Sequence, residues 1–387
     1  MSTAVASPAT LGGRTGDVVA VIREHAAAID EAASFPIDSL QALRDSGLMG
    51  LLVPARYGGL DGDLHDLVAV SVELAGACLS TAMIWAMHCQ QVAGIVAFGS
   101  PTLRERVLRQ VAHGEVYIAS VTTERGKGGH LLTADQAMDH LHVHRDAPIV
   151  TGGEYADGFL ITMRDLPEAP PNAVSLVYAP RSALVLRSNG SWNPMGMRGT
   201  HSVGLVLEGD IEPDAIVGPP GDFKTVAVTT FAPVGHIAWA ACWLGAARGA
   251  LRDVLRLLRS SADRGSLAPE SELLRHRIAR VRMELDVMAA LLARCVTDAA
   301  DTERIEDIPV QLRLNALKVY VAEHSLRVVD TLIEVVGLRH GYLRDSPLRL
   351  ERVFRDLRSA SLNYANDRLL AANGGLALLD QGVHLAL

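Results

Sequence analysis

Three polar side chains have the chemistry needed for proton transfer. His236 lies at the start of a long apolar segment, and an imidazole can act as a base near neutral pH. Tyr364 and Asp367 lie in a polar stretch near the C-terminus. Each also has a structural explanation, because a core histidine can satisfy a carbonyl and the other two suit the N-terminus or the surface of a helix. Both interpretations stay open at this point.

The periodicity of apolar residues predicts three folded regions that position these side chains. Spacings of three and four predict a helical N-terminal domain in residues 17–117, and alternation between Gly, Pro and Asn turns predicts a central β domain in residues 118–226. Helical spacing returns in residues 227–387, where we expect a C-terminal four-helix bundle. Residues 1–16, rich in Ser, Thr, Ala and Gly, are expected to form a flexible tail. The predicted fold class is therefore α+β.

The composition argues against several kinds of partner. The chain of 387 residues has a formal net charge of -8, and its Lys and Arg are scattered, so we expect no nucleic-acid partner. Its 4 cysteines lie far apart in apolar contexts without CxxC spacing, which favours a cytoplasmic location. Residues 225–247 are long enough to cross a bilayer, but their Pro, Gly and His favour a buried helix, so we expect no membrane partner.

An alternating run of histidines raises the question of a metal site. His140, His142 and His144 lie on one face if this segment is a strand. No nearby cysteine completes a ligand set. We therefore expect exposed histidines and predict no metal.

Short motifs follow one another over residues 35–367. They are Phe35-Pro36, Val53-Pro54, Tyr57-Gly58-Gly59-Leu60, Thr123-Glu124 with Gly126, Asn193 to Thr200 (NPMGMRGT), Gly341-Tyr342 and Arg355-Asp356. Any one of them is a weak signal. Their order and spacing together resemble the acyl-CoA dehydrogenase superfamily, which includes related two-component flavin monooxygenases. The resemblance implies the same succession of helices, β domain and helical bundle, and a flavin cofactor.

The resemblance also implies which residues hold the flavin. Hydroxyls and amides at the end of a strand suit the polar edge of the ring, and Thr151 matches the residue that contacts the reactive flavin nitrogen. Glycines match the close backbone approach to the dinucleotide. The implied cofactor-binding residues are Ser120, Thr122, Thr123, Gly129, Ile149, Thr151, Arg264, Gly337 and Gly341. FAD is expected, with FMN or free reduced flavin as the alternative because the FAD-anchoring motifs are altered.

Four residues are implied to bind the substrate. They are His88, Arg125, Met197 and Arg198. His88 falls where the family has a histidine, and Met197 and Arg198 belong to the NPMGMRGT motif. Arg125 lies in a loop that lacks the proline and the Ser-Asp pair of the family motif, and it either takes an anionic group or is a solvated loop charge.

The glutamate that the family uses as catalytic base is absent. Nine positions after Arg355 stands Tyr364, and matching the family's Tyr-Glu-Gly places Ala365 there. Some branches carry the glutamate on the helix after the β domain, where this chain has Gly235 beside His236. The catalytic candidates are therefore His236, Tyr364 and Asp367.

These observations predict a flavin-dependent oxidoreductase. The first hypothesis is α,β-dehydrogenation of an acyl thioester, as acyl-CoA or on a carrier, with a non-standard base. The alternative is a two-component monooxygenase that uses reduced flavin and O2 on a small molecule, which the lost glutamate favours. The resemblance implies an electron-transfer flavoprotein or a flavin reductase as partner, and a homodimer or homotetramer.

Overall fold

The computed structural model describes residues 8–122, 141–164, 170, 173–260, 270–380 and 382–383, with side chains from residue 11 onward. The chain divides into two compact units. The first comprises Met1–Leu67, Ile84–Asn193 and Gly199–Gly235. The second comprises Val68–Met83, Pro194–Arg198 and His236–Leu387.

The N-terminal region is helical. Its helices are α1 (Pro8–Ala32), α2 (Ile37–Asp45), α3 (Leu64–Ala75), α4 (Leu79–Phe98) and α5 (Pro101–Ala112). Ser100 caps α5 by accepting a hydrogen bond from the backbone N–H of Leu103 at 3.1 Å, and proline follows at the first helical position.

Helix α1 begins earlier than the sequence suggests. The flexible tail predicted for residues 1–16 is wrong for residues 8–16, which are helical. Nη1 of Arg14 donates to the carbonyl of Ser46 at 2.7 Å, and Thr15 is buried. Small-residue composition does not reveal such tertiary contacts, which hold these turns in place.

The central region forms two sheets. The strands are β1 (Ile118–Val121), β2 (Leu141–Ala147), β3 (Gly158–Arg164), β4 (Val174–Pro180), β5 (Leu184–Asn189), β6 (Gly204–Ile211) and β7 (Ile216–Val217). One sheet has the order β1-β3-β4-β7, with β1 and β3 parallel and its other pairs antiparallel. The other is the antiparallel sheet β2-β6-β5.

Helices α4 and α5 share a core with the β1-β3-β4-β7 sheet of the first unit. Val92 and Ile95 of α4 and Val107 of α5 pack in the same buried cluster as Ile118 of β1 and Leu160 of β3. A sheet buries its apolar face against helices. The regions predicted as separate domains, residues 17–117 and 118–226, therefore fall within one compact unit apart from Val68–Met83 and Pro194–Arg198.

Long helices make up most of the C-terminal region. The elements are α6 (Phe223–Val226), a π-helical turn (Ala227–Phe231), α7 (Ala232–Arg259), α8 (Glu272–Ala300), α9 (Ile308–Gly337), a second π-helical turn (Leu338–Tyr342), α10 (Leu350–Leu357) and α11 (Asn366–Ala377). Helix α9 packs against α8, α10 and α11. Helices, sheets and long helices in this order confirm the predicted α+β class.

Helix α7 is long, apolar and largely buried. Within the described residues, the stretch Phe223–Arg259 is the one helical segment long and apolar enough to span a membrane, and 67% of its most apolar window is buried. Two glycines bring it close to α3, since a Cβ on Gly245 would lie 2.5 Å from the carbonyl oxygen of Val72 and one on Gly249 3.0 Å from Cα of Gly76. These contacts agree with the buried core helix that the sequence predicts.

Candidate functional site

The turn at residues 194–198 is locked against helix α10 in the second unit. The buried carboxylate of Asp356 accepts a hydrogen bond from the backbone N–H of Met197 at 2.5 Å, and Arg355 donates to a carbonyl of the turn at 2.9 Å. A Cβ on Gly196 would lie 2.1 Å from the carbonyl oxygen of Arg355, so only glycine fits there. The NPMGMRGT and Arg-Asp motifs are therefore two sides of one packing contact.

The two predicted substrate-binding residues of this turn are both positioned by it. Met197 is buried and has a φ of 55°, in the left-handed region that few non-glycine residues adopt. Arg198 is half-buried, and its Nη1 donates to the carbonyl of Pro194 at 3.2 Å. The turn thus fixes a thioether and a cation as candidates for substrate contact.

A fully buried lysine holds the segment that carries Tyr364. Nζ of Lys318, on α9, donates to the carbonyls of Ala360 at 3.1 Å and Tyr364 at 3.2 Å and to Oδ1 of Asn366 at 2.8 Å. These three bonds use the three protons of the ammonium group. Burial lowers the pKa of Lys318 to about 8, and the charge of Glu323 opposes this shift. Tyr364 itself has a φ of 49° and a side chain that is 55% exposed.

Three aromatic side chains lie along one face of α7. His236, Trp239 and Trp243 follow one another at the i, i+3 and i+7 spacing of a helix face. The ring centroids of His236 and Trp239 are 6.0 Å apart, and that of Tyr364 lies 6.1 Å from the imidazole. The structure therefore brings together two of the three catalytic candidates.

The imidazole of His236 is neutral at neutral pH. Burial, followed by the nearby charge of Lys318, lowers the pKa of His236 to about 3, and a hydrogen bond with the backbone of Leu314 partly opposes this. Nδ1 has no hydrogen-bond partner among the described residues.

The third catalytic candidate has a different setting. Asp367 is exposed in the first turn of α11. A carboxylate at this position complements the partial positive charge of a helix N-terminus. The placement favours the structural interpretation of Asp367.

In the first unit, a chain of hydroxyls ends at Thr151. The hydroxyls of Thr200 and Ser202 are 2.8 Å apart, and Ser202 donates to Oγ1 of Thr151 at 3.1 Å. Since Ser202 gives its single proton to Thr151, the proton of the Thr151 hydroxyl stays available for another acceptor. The phenol of Tyr117 donates to the carbonyl of Thr151 at 2.9 Å and fixes the backbone there.

The other predicted cofactor residues of the β region are only partly described. The hydroxyls of Ser120 and Thr122 are 3.0 Å apart at the end of β1, and Ile149 is 48% exposed. These placements are compatible with contact to a ligand. Four predicted residues lie outside the described residues, namely Thr123, Arg125, Gly129 and Arg264.

His88 does not fit the substrate-binding role predicted for it. Its side chain is 0% exposed, Nδ1 accepts from the backbone N–H of Ile118 at 3.0 Å, and Nε2 lies 3.0 Å from the carbonyl of Met49. Burial lowers the pKa of His88 to about 4. Both ring nitrogens are engaged by backbone groups, so this histidine ties α4 to two other segments of the first unit.

Local backbone conformation and packing explain why glycine stands at two positions near the end of helix α9. Gly337 has a φ of 69° and a ψ of -169°, a conformation that favours glycine. At Gly341, a Cβ would lie 2.9 Å from Cα of Ile333, so the π-helical turn packs directly on α9. Packing explains Gly341 without a ligand, and the cofactor roles of both glycines stay predictions.

The alternating histidines show no metal cluster in the part of the chain that is described. No group of three or more His, Cys, Asp or Glu side chains that could hold a metal occurs there. Nδ1 of His142 lies 2.8 Å from Oδ1 of Asp210 across the β2–β6 pair, and His140 lies outside the described residues.

Family comparisons identify the chain. The family model for the acyl-CoA dehydrogenase N-terminal domain matches residues 18–115, and the model for the acyl-CoA dehydrogenase C-terminal domain matches residues 225–363. The chain belongs to the acyl-CoA dehydrogenase superfamily. It is therefore a flavoenzyme of the oxidoreductase class, as the resemblance implied.

The relatives of this chain belong to two reaction classes, dehydrogenases and monooxygenases. Cyclohex-1-ene-1-carbonyl-CoA dehydrogenase of Syntrophus aciditrophicus is 25% identical over 365 residues, which cover 92% of this chain and 86% of the relative. Dibenzothiophene monooxygenase of Mycolicibacterium goodii is 24% identical over 384 residues, which cover 90% and 91%. Overall identity therefore does not separate the dehydrogenase from the monooxygenase hypothesis.

Solved structures of both classes share the fold. TdsC from Paenibacillus sp. A11-2 with FMN and indole has a TM-score of 0.85 at 21% identity, covering 96% of this chain and 98% of its own. Butyryl-CoA dehydrogenase from Megasphaera elsdenii has a TM-score of 0.85 at 18% identity, covering 98% and 100%. These likenesses confirm the acyl-CoA dehydrogenase fold.

The residues around Thr151 fit the edge of a flavin. The heteroatoms of an isoalloxazine ring accept hydrogen bonds, and Thr151 has a hydroxyl proton to donate and a carbonyl fixed by Tyr117. A flavin is the cofactor of the superfamily. Thr151, with Ser202 and Thr200 behind it, is thus the described group best suited to hold the ring.

The residues that sequence reasoning missed are Lys318 and Trp239. A lysine inside the apolar run Leu317 to Val319 is an available signal, since lysine is seldom fully buried unless its charge is satisfied. Trp239 carries no such signal, because only the structure shows that its indole N–H is buried without a hydrogen-bond partner among the described residues.

Proposed function

We propose that the protein is a two-component flavin-dependent monooxygenase that acts on a small molecule. The observation that carries this proposal is the state of His236, whose pKa is lowered to about 3 by burial and by Lys318. Removal of the α-proton of a thioester works best with a base whose pKa is near the working pH. An imidazole of such low pKa is a weak base.

The other candidates do not replace the missing glutamate. The phenol of Tyr364 offers a donor rather than a carboxylate, and Asp367 is exposed at the start of a helix. Monooxygenation needs no α-proton removal. A reduced flavin, when bound, supplies two electrons to O2, so that one oxygen atom enters the substrate and the other leaves as water.

The residues of the protein have supporting roles in this chemistry. Thr151 would hold the edge of the flavin ring through its hydroxyl proton, and Ser202 keeps that hydroxyl oriented. The buried aromatic face of α7 around His236 excludes water, which limits wasteful side reactions. Lys318 keeps Tyr364 beside His236 through its carbonyl contacts.

For a two-component monooxygenase, the expected cofactor is reduced FMN or FAD, and the expected partner is the flavin reductase that delivers it. An electron-transfer flavoprotein, which reoxidises bound FAD in a dehydrogenase, is not expected. A homodimer or homotetramer in the cytoplasm is retained as a prediction implied by the family.

The second candidate is α,β-dehydrogenation of an acyl thioester. The 25% identity to cyclohex-1-ene-1-carbonyl-CoA dehydrogenase over 92% of the chain supports it. It requires a proton acceptor of a kind that His236, Tyr364 and Asp367 do not supply in their described settings.

A visible spectrum and oxygen consumption distinguish the two candidates. The purified protein is expected to be colourless, to bind photoreduced FMN or FAD anaerobically, and to consume O2 when mixed with air. Oxidised flavin at the same concentration is the control and is expected to bind more weakly. A yellow protein with tightly bound FAD that butyryl-CoA or another acyl-CoA bleaches anaerobically would overturn the proposal.

A further inference from the structure

In the first unit, the backbone around Thr151 is tied to the segment at residues 200–203. The backbone N–H groups of its two neighbours, Val150 and Gly152, donate to carbonyls of this segment at 3.0 and 2.9 Å. Gly152 has a φ of 60°, in the left-handed region, so the chain turns directly after Thr151. Movement of residues 200–203 is therefore transmitted to Thr151.

A carboxylate joins the same two segments a second time. Oε2 of Glu154, three residues after Thr151, lies 2.7 Å from Nε2 of His201, and Oε1 accepts from the hydroxyl of Ser188 on β5. The hydrogen bond from Ser188, opposed by burial and supported by the bond from His201, lowers the pKa of Glu154. The carboxylate is therefore ionised at neutral pH and only accepts, so Nε2 of His201 is the donor.

The backbone of His201 has a conformation that its surroundings must hold. Its φ is 42°, and a non-glycine residue keeps such an angle only where neighbouring contacts fix it. The edge of its ring packs on Tyr155, with centroids 5.5 Å apart. Nδ1 forms no hydrogen bond within the described part of the chain, so the Glu154 carboxylate supplies the hydrogen bond that orients the imidazole.

The conformation of His201 sets the direction of the hydroxyls on either side of it. Those of Thr200 and Ser202 are 2.8 Å apart, and Ser202 donates to Oγ1 of Thr151 at 3.1 Å. A return of residue 201 to an ordinary negative φ would turn these two side chains apart. Ser202 would then no longer fix which way the proton of Thr151 points.

We propose that Glu154 and His201 form a positioning pair for the hydroxyl of Thr151. The pair holds Ser202 where it donates to Thr151, so that the remaining proton of Thr151 is directed to an acceptor atom of the flavin ring. It acts through Thr151 and needs no contact of its own with the flavin. This inference rests on the flavin role proposed for Thr151, and it holds for either reaction class.

Single variants test whether the pair affects flavin binding. Asparagine tolerates a left-handed backbone but is too short to reach the carboxylate, so His201→Asn removes the contact without adding backbone strain. His201→Asn and Glu154→Ala are each expected to raise the Kd for photoreduced FMN by about 3- to 10-fold, the effect of one hydrogen bond. Glu154→Gln can still accept from His201, so its Kd is expected to rise less than that of Glu154→Ala.

A double-variant cycle tests whether the pair acts through Thr151. In a Thr151→Val background, His201→Asn is expected to cause no further rise in the Kd, because the hydroxyl that the pair positions is already absent. A variant that merely loosens the fold would raise the Kd by the same factor in both backgrounds. Equal factors would therefore overturn the proposal.

The Kd values come from anaerobic titration followed by flavin absorbance. If the protein is purified with FAD, the same variants are compared with FAD after its removal. His144→Asn, an exposed histidine on β2, is the matched control and is expected to keep the wild-type Kd.

The outcomes separate this inference from the proposals on which the site is built. If Thr151→Val leaves the Kd unchanged, the flavin role of Thr151 and the positioning pair fail together. If Thr151→Val weakens binding while His201→Asn and Glu154→Ala do not, the positioning pair fails alone. Oxygen consumption, which decides between the two reaction classes, is measured separately and changes neither conclusion.

Discussion

At the scale of single residues, the candidate groups of each unit are defined by their protonation and by unused hydrogen-bonding capacity. Thr151 keeps a proton because Ser202 donates to it, and His236 keeps a lone pair because burial and Lys318 hold it neutral. Neither state follows from residue type. A threonine and a histidine in other settings would have their capacity used by neighbours or by water.

Thr151→Val tests the hydroxyl that is proposed to hold the flavin. Valine keeps the volume and removes the donor, so the Kd for reduced flavin is expected to rise by about 3- to 10-fold, the effect of one hydrogen bond. Anaerobic titration followed by flavin absorbance measures it. Thr297→Val, an exposed threonine on α8, is the control, and an unchanged Kd for Thr151→Val would contradict the assigned role.

The sequence singled out some of the candidate residues in the two units. Thr151, His236 and Tyr364 were predicted because they stand at fixed distances from recognisable motifs, and their roles stay predictions. Lys318 was missed because its role depends on Ala360, Tyr364 and Asn366, more than forty positions away. The role predicted for His88 receives no support for the same reason, since distant backbone groups occupy both of its nitrogens.

At the scale of elements, the turn at residues 194–198 and helix α10 act as one piece. Their contact combines the Asp356 carboxylate, the Arg355 guanidinium and a glycine that leaves no space for a side chain. Periodicity predicted the long helices well, since a helix needs only local spacing. It did not reveal that two motifs about 160 residues apart touch, because spacing along the chain does not record tertiary packing.

Gly196→Ala is expected to separate these two elements. The added Cβ would lie 2.1 Å from a backbone oxygen. A backbone atom cannot relieve the clash by a change of side-chain rotamer. We expect a loss of about 1–3 kcal/mol, as for other overpacked sites, seen as a lower Tm by scanning calorimetry.

Gly374→Ala provides the matched control for this substitution. This glycine lies on the exposed side of α11, and no atom lies within 4 Å of its added Cβ. Alanine there is expected to be neutral or to stabilise by up to about 1 kcal/mol. Equal Tm values for the two variants would show that the turn and α10 are not tightly packed.

At the scale of the whole molecule, two buried neutral histidines make the fold sensitive to acid. The pKa of His88 is lowered to about 4 and that of His236 to about 3, from 6.5 in the unfolded chain. Below pH 6.5 the unfolded state binds more protons than the folded state, so the free energy of unfolding falls as the pH drops towards these values. Above pH 6.5 neither histidine changes the stability.

His236→Leu is expected to reduce this acid sensitivity. Between pH 7 and pH 5 one such histidine changes the free energy of unfolding by about 2 kcal/mol, so the variant loses less stability over that interval than the wild type. Urea midpoints at the two pH values measure the difference. His144→Leu, an exposed histidine on β2, serves as the control, and an unaltered pH dependence in His236→Leu would show that the imidazole is not held neutral.

The reducing environment predicted for the protein agrees with its thiols. All four cysteines lie in the described residues, all are buried, and none forms a disulfide. Burial raises the pKa of Cys242 and of Cys295 to about 12. Such thiols are unreactive at neutral pH, and the cytoplasmic location stays a prediction.

The second unit is assembled from three separate stretches of chain. Residues 72–76 meet Gly245 and Gly249 of α7, and residues 194–198 meet α10. During synthesis from the N-terminus, the first two stretches leave the ribosome long before the helices on which they pack. Their contact surfaces therefore stay uncovered until α7 and then α10 have been synthesised, and completion of this unit comes late in the biosynthesis of the protein.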